Sequence, residues 1–325
     1  MDFVKRLLFL LLVTAVLVFF SEKAYWYPQG YAVAELLTFY AFPVWVCLWV
    51  IDQFRVHSLA GMVLVAALFG FLVEGVLTPI LYEGGLLDPI LPAYFVGWHG
   101  LLSFVFGWYL IRRWLVRGQW RMLLWGSGLF GLLWGIWSLT YWLPETYAEF
   151  EFPGQWPVWA FGLYAFTFGG MLLGVHWLLG RSIWLVAFRP SRLEKWSVAA
   201  GIVFLFATLA FPAAPFGILK LVVLVTAVCL PLYLRRNLNV ESVLVHLQGS
   251  IQARFLPILL LIPSIATAVY GLATFVQPDE SLLRLVTEFI PPMQGVVGAG
   301  ALLWAIGSVL RSGFVRSTIP EQSQR

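Results

Sequence analysis

Ten runs of apolar residues, each about 20 long, alternate with short polar or charged stretches along the 325-residue chain. They cover positions 4–21, 35–51, 58–81, 91–111, 120–142, 157–179, 192–211, 215–234, 255–276 and 291–310. At 1.5 Å per residue, about 20 helical residues cross roughly 30 Å of hydrocarbon. Each run therefore predicts a spanning helix, and together they predict an all-α, polytopic membrane bundle of about ten transmembrane helices. The first run opens on Lys5 and Arg6 like a secretory signal, but "FFSEKAYW" offers no small residues spaced for cleavage. It is read as a spanning helix.

Boundary residues sharpen the pattern. Pro92, Pro157, Pro215 and Pro291 fall at or near the first turn of helices, where a missing N–H costs nothing. "SRLE", Ser191 to Glu194, is a capping box opening the seventh span. Val240, Val243, Leu244, Leu247 and Ile251 share one helical face, which predicts an interfacial amphipathic helix over 238–253. Gly131 with Gly135, Gly170 with Gly174, and "GVVGAG" at 295–300 are spacings that let backbones approach. With no dividing linker and no visible repeat, residues 1–325 read as one transmembrane domain ending in a short cytoplasmic tail, 312–325.

Composition and charge narrow the class. Hydrophobic residues make up 61% and charged residues 11%, too little polar surface to cover a water-facing globule. Threading ten spans from a cytoplasmic N-terminus gathers Arg112, Arg113, Arg117, Arg121, Arg181, Arg189, Arg192, Lys195, Arg235, Arg236, Arg254, Arg311 and Arg316 on one side. Glu22, Glu83, Asp88, Glu145, Glu149, Glu151, Asp279, Glu280 and Glu288 gather on the other, with Lys23 and Arg284. Both termini are thus expected in the cytoplasm, in the plasma membrane. The net charge of +4 follows from this loop bias, so membrane lipid rather than nucleic acid is the expected partner. Cys47 and Cys229 read as packed thiols.

Four ionisable residues lie well within the spans, away from their ends: Glu74, His99, His176 and Lys220. A charge at the bilayer centre costs at least about 2.5 kcal/mol, so each calls for a partner or a water-filled cavity. Glu74 and His99 both fall about 10 to 12 Å below the outer end of their helices. Gly70, Glu74 and Thr78 share one face, and Phe95, His99, Ser103 and Gly107 share another. The short connection "YEGGLLDPI" makes these helices antiparallel neighbours, so a carboxylate and an imidazole holding one proton between them is expected. Lys220, Tyr270 and Gln294 reach similar outer depths, and Tyr82 and Glu83 would line an acidic mouth with Asp88 and Glu145. His176 lies at the inner end and reads as structural.

Thirteen of the seventeen tryptophans fall between Trp98 and Trp196, several of them near span ends as interface anchors. Trp134, Trp137 and Tyr141 form a deeper stripe that packs a core or walls a hydrophobic ligand. The spacing of histidines supports neither zinc nor haem, and no metal or other cofactor is expected. Prenyl-diphosphate, phosphate-loop and nucleophile-elbow motifs are missing. The intramembrane CAAX-type protease pattern fails too, because Gly75 follows Glu74 and Thr78 stands four on.

These features lead to a transporter or flippase-like protein handling an amphipathic or lipid-like molecule through an extracytoplasmic cavity. Glu74, His99 and Lys220 would do its chemistry, with Tyr82, Glu83, Ser103, Trp134, Trp137, Tyr141, Tyr270 and Gln294 lining the path. Two alternatives stand beside it. One is an intramembrane enzyme on a lipid or isoprenoid substrate with Glu74 and His99 as acid and base. The other is a non-catalytic subunit, which leaves room for a protein partner or homo-oligomer.

Overall fold

The computed structural model describes residues 2–24, 32–144, 154–181, 188–237, 239–247 and 250–311, and every regular element among them is a helix. Among the described residues, ten helices are long and apolar enough to cross a membrane, the make-up of a multi-pass membrane protein. They are α1 (Phe3–Lys23), α2 (Val33–Gln53), α3 (Leu59–Leu77), α4 (Ile90–Arg117), α5 (Trp120–Trp142), α6 (Val158–Leu179), α7 (Arg192–Ala210), α8 (Gly217–Leu234), α9 (Ala253–Val276) and α10 (Glu280–Arg311). Eight begin and end within a few residues of the apolar runs, and α4 continues six residues past its run to Arg117. α10 instead starts eleven residues before its run and continues through Pro291 and Pro292, so Pro291 is not in its first turn. Its polar opening is held by Asp279, whose Oδ1 accepts from Leu282 N at 2.8 Å and Ser281 Oγ at 2.7 Å.

Two further expectations change. The stretch expected as an amphipathic helix over 238–253 shows a helix only at Val243–Leu247, with Val243, Leu244 and Leu247 buried in protein. Residues 238, 248 and 249 and the tail 312–325 lie outside the described residues, as do Glu145, Glu149 and Glu151. Gly170 and Gly174 meet open space; the contacts on α6 are made by Gly169 against Pro263 and Gly162 against Thr267.

The chain divides into two compact units, each assembled from three separated stretches. The first comprises Met1–Tyr40, Phe106–Val186 and His246–Met293. Its centre is α5 against α9, where a Cβ on Gly131 would stand 2.7 Å from the Ile262 carbonyl oxygen. The guanidinium of Arg112, 1% exposed, donates to the carbonyls of Leu179 (2.7 Å), His176 (3.2 Å) and Leu247 (2.6 Å). It thereby satisfies the open C-terminal carbonyls of α6 with a planar fork of donors.

The second unit comprises Ala41–Val105, Ala187–Val245 and Gln294–Arg325. α3 is its interior helix, buried along nearly its whole length, whereas α7 is largely exposed. Ser58 caps α3 by accepting from Gly61 N at 3.1 Å. α4 crosses α3 and α10 backbone to backbone. A Cβ on Gly70 would stand 2.8 Å from the Phe95 carbonyl oxygen, and one on Gly298 only 2.0 Å from that of Ala93. Small residues at such crossings admit the van der Waals contact that holds membrane helices together. Ser191 and Glu194 form the expected capping box at the start of α7.

Candidate functional site

The sequence "VEGVLTP" shapes the end of α3. Pro79 disfavours a helical conformation in the residue before it, and Thr78 is accordingly extended at φ −127° and ψ 149°. The turn Val73–Leu77 is wide, closed by Thr78 N donating to Val73 O at 3.3 Å. The facing stretch of α4, Val96–Leu110, is wound the same way. Wide turns are rare and concentrate at functional sites, and here they carry Glu74 on one helix and His99 on the other.

The two side chains meet. His99 Nε2 and Glu74 Oε1 share a hydrogen bond at 2.6 Å, and Thr78 Oγ1 donates to Glu74 Oε2 at 2.6 Å. Both carboxylate oxygens are therefore engaged. Glu74 is 6% exposed and His99 1%. The crossing that brings them together is the glycine contact of α3 with α4: the Cβ position of Gly70 lies 3.6 Å from His99 Cβ, and that of Gly100 lies 3.1 Å from Ala66 O. In so dry a setting an unmatched charge is costly, and each of the two groups supplies the other with a partner.

Aromatic rings complete the surroundings of His99. Trp98 stacks on the imidazole at 5.0 Å and 6°, Phe95 lies at 6.3 Å and Phe69 stands edge-on at 6.2 Å. These rings wall the imidazole with apolar surface, so that its hydrogen bond to Glu74 is made away from water.

The loop 78–89 packs over this end of α3. Leu81 is fully buried, and the Tyr82 hydroxyl donates to the Gly75 carbonyl. A Cβ on Gly75 would lie 2.8 Å from Leu81 Cδ2, which explains a glycine beside the glutamate. Burial pushes the Tyr82 phenol up, so it stays a donor. Lys220, from α8, donates to Gly85 O at 2.8 Å and stands 4.0 Å from the Asp88 carboxylate. Asp88 also accepts from Ile90 N and Leu91 N, fixing the start of α4. Lys220 thus tethers the loop and does not join Glu74 and His99, as the sequence reading had it.

The other expected site residues are placed variously. Glu83 is exposed on the loop, and Ser103 is buried with its hydroxyl 3.5 Å from Trp98 O. Gln294 is buried where α10 meets Gly97 of α4. Trp134, Trp137, Tyr141 and Tyr270 belong to the first unit. Trp134 packs against Phe19, Phe161 and Tyr164 as core. Trp137 hydrogen-bonds Tyr141. Tyr270 is stacked on Phe161 at 4.3 Å, and its hydroxyl accepts from Trp142 Nε1 (3.0 Å) and Trp156 N (2.8 Å), which makes it a pin between segments.

Sequence reasoning missed a second polar cluster, in the first unit. Glu22 accepts from Tyr40, Tyr164 donates to Lys23 O at 2.7 Å, and Lys23 is buried with its ammonium 5.8 Å from the Phe168 ring. The drop in hydropathy after Phe20 assigns Glu22 and Lys23 to a loop, whereas they form the last, wide turn of α1. His176 is fully buried in the last turn of α6, and neither ring nitrogen has a hydrogen-bond partner among the described residues. Among those residues no three His, Cys, Asp or Glu side chains cluster as metal ligands.

Compared with protein-family models, with curated proteins and with solved structures, the chain has no match, so its reading rests on the geometry of Glu74, His99 and the loop beside them.

Proposed function

We propose that the chain is a multi-pass transporter or flippase-like protein of the plasma membrane that handles an amphipathic or lipid-like molecule, with Glu74 and His99 as its proton-holding pair. The basic residues gathered on one side of the spans support cytoplasmic termini. That orientation turns the α3–α4 connection to the extracytoplasmic side. The observation that carries the reading is the 2.6 Å bond between Glu74 and His99, buried in wide-turn helices beside a loop held by Lys220.

Such a pair works by exchange. While it is closed, one proton serves both groups and nothing else need enter. When the loop lifts, Glu74 loses its shielding and takes a proton or a polar head group from the outer side, and His99 takes up or releases the compensating proton. The acid–base enzyme reading draws on the same residues and would need a substrate to reach a carboxylate whose two oxygens already hold His99 and Thr78.

A cysteine replacing Ser103, in a background where Cys47 and Cys229 are alanine, tests this. Alternating access predicts labelling by an impermeant maleimide from either face of proteoliposomes, with Glu74→Gln restricting it to one face. Labelling of parent and variant from a single face would remove the transport reading. Movement of fluorescent-head-group phospholipid, measured by dithionite quenching, checks the cargo class: Glu74→Gln should slow it at least tenfold.

A further inference from the structure

A groove of about 590 Å³ lies between α2 and α7 in the second unit, and neither Glu74 nor His99 lines it. Its walls are Trp45 and Trp49 from α2 and Val198 and Ile202 from α7, with Arg192 and Lys195 at one end. Both cations are exposed, and neither makes an ion pair with a described residue. The nearest acid in sequence, Glu194, is occupied in the capping box, where its carboxylate accepts from Ser191 N at 2.6 Å. Lys195 rests 5.4 Å from the Trp49 ring, a placement that holds the ammonium over the mouth of the groove.

Along α7 the chemistry changes in one direction. Lys195, Val198 and Ile202 follow one another at helical spacing, so a charged head gives way to an apolar surface over roughly 10 Å. A groove of this size lies within the usual range for small-molecule sites. A molecule matching it has an anion at one end and a hydrocarbon chain running parallel to the helix.

We infer that the α2–α7 groove is a binding site for an anionic phospholipid, its phosphate held by Arg192 and Lys195 and one acyl chain lying on Trp45, Trp49, Val198 and Ile202. A zwitterionic choline head would bring its own cation against two others; a glycerol head would not. The site is independent of any role for Glu74.

Native mass spectrometry of the full chain in detergent with equal phosphatidylglycerol and phosphatidylcholine reads this directly. The parent should retain one phosphatidylglycerol that the Arg192→Gln/Lys195→Gln variant loses, with apparent affinity falling about 25-fold at roughly fivefold per cation. Ala199→Phe fills the groove while leaving both charges, and should lose the same lipid. Equal retention of the two lipids by the parent, retention of phosphatidylglycerol by the double variant, or its retention by Ala199→Phe would each overturn the site. The readout is bound lipid rather than transport, so its failure leaves the Glu74–His99 proposal standing.

Discussion

Lys220 Nζ donates to the carbonyl oxygen of Gly85 at 2.8 Å, so a cation carried by α8 holds the middle of the loop that packs on the end of α3. Hydrogen bonds to charged groups contribute about 1.5–3 kcal/mol. Lys220→Met should raise amide hydrogen exchange across residues 78–89 by about tenfold or more and leave α3 protected. Unchanged exchange in the loop would show that Lys220 is no tether.

The Glu74 carboxylate depends on two donors of unequal weight. His99→Ala strands it in a dry site and should cost about 3–5 kcal/mol, whereas Thr78→Val removes one hydroxyl and should cost about 1.5 kcal/mol. Reversible unfolding in mixed detergent micelles gives the order. A His99→Ala cost no larger than that of Thr78→Val would mean the imidazole does not balance the acid.

Arg112 answers three carbonyls at once. Lysine retains the charge without the planar fork, so Arg112→Lys should destabilise the protein by about 2–3 kcal/mol in the same unfolding assay. Near-parental stability would show that charge alone suffices at this point.

Two glycine replacements should have opposite signs. Gly298→Ala places a methyl 2.0 Å from Ala93 O, a backbone atom that cannot swing aside, and should cost roughly 3 kcal/mol or more. Gly174→Ala meets nothing within 4 Å and should stabilise by about 0.5–1 kcal/mol through helix propensity. Thermal unfolding of the two variants separates them.

Asp279 gives a pH dependence at the start of α10. The Ser281 hydroxyl, then the Leu282 amide, hold its carboxyl below the ordinary value of 3.8. A lowered folded value means this capping contribution is fully present above about pH 4 and is lost as pH falls through the folded value. Helix-start amides near Leu282 should therefore be less protected at low pH, relative to the intrinsic exchange rate at each pH, and Asp279→Ala should show that reduced protection already at pH 7.

The ten helices were legible because each is an apolar run of crossing length, and the Glu74–His99 contact was legible because both residues lie on adjacent antiparallel segments at matched depth. What failed has physical reasons. α10 begins in "ESLLRLVTE", amphipathic and charged, and hydropathy does not register a helix held by an Asp cap and an Arg284–Glu280 pair. Gly170 and Gly174 have the spacing of a packing motif, but spacing does not say which face of α6 meets α9.

The roles of Lys220 and Arg112 were hidden by the same limit. Lys220 was assigned by depth to the acid–imidazole pair, while its partner is a backbone carbonyl in a loop, which carries no signature in residue type. Arg112 counted as one of many loop cations, although the helix carries it inside. Of the aromatic rings around His99, Trp98 belonged to a tryptophan surplus whose location the sequence could not resolve.

Interleaving of the units has a consequence for how the chain is made. The first needs residues beyond His246 and the second needs residues from Gln294, so neither can finish assembling while the ribosome is still midway through the message. The α3–α4 hairpin is different: its acid and its imidazole are only 25 positions apart. It can form in the nascent chain and wait there, its loop untied, until the lysine at 220 is translated.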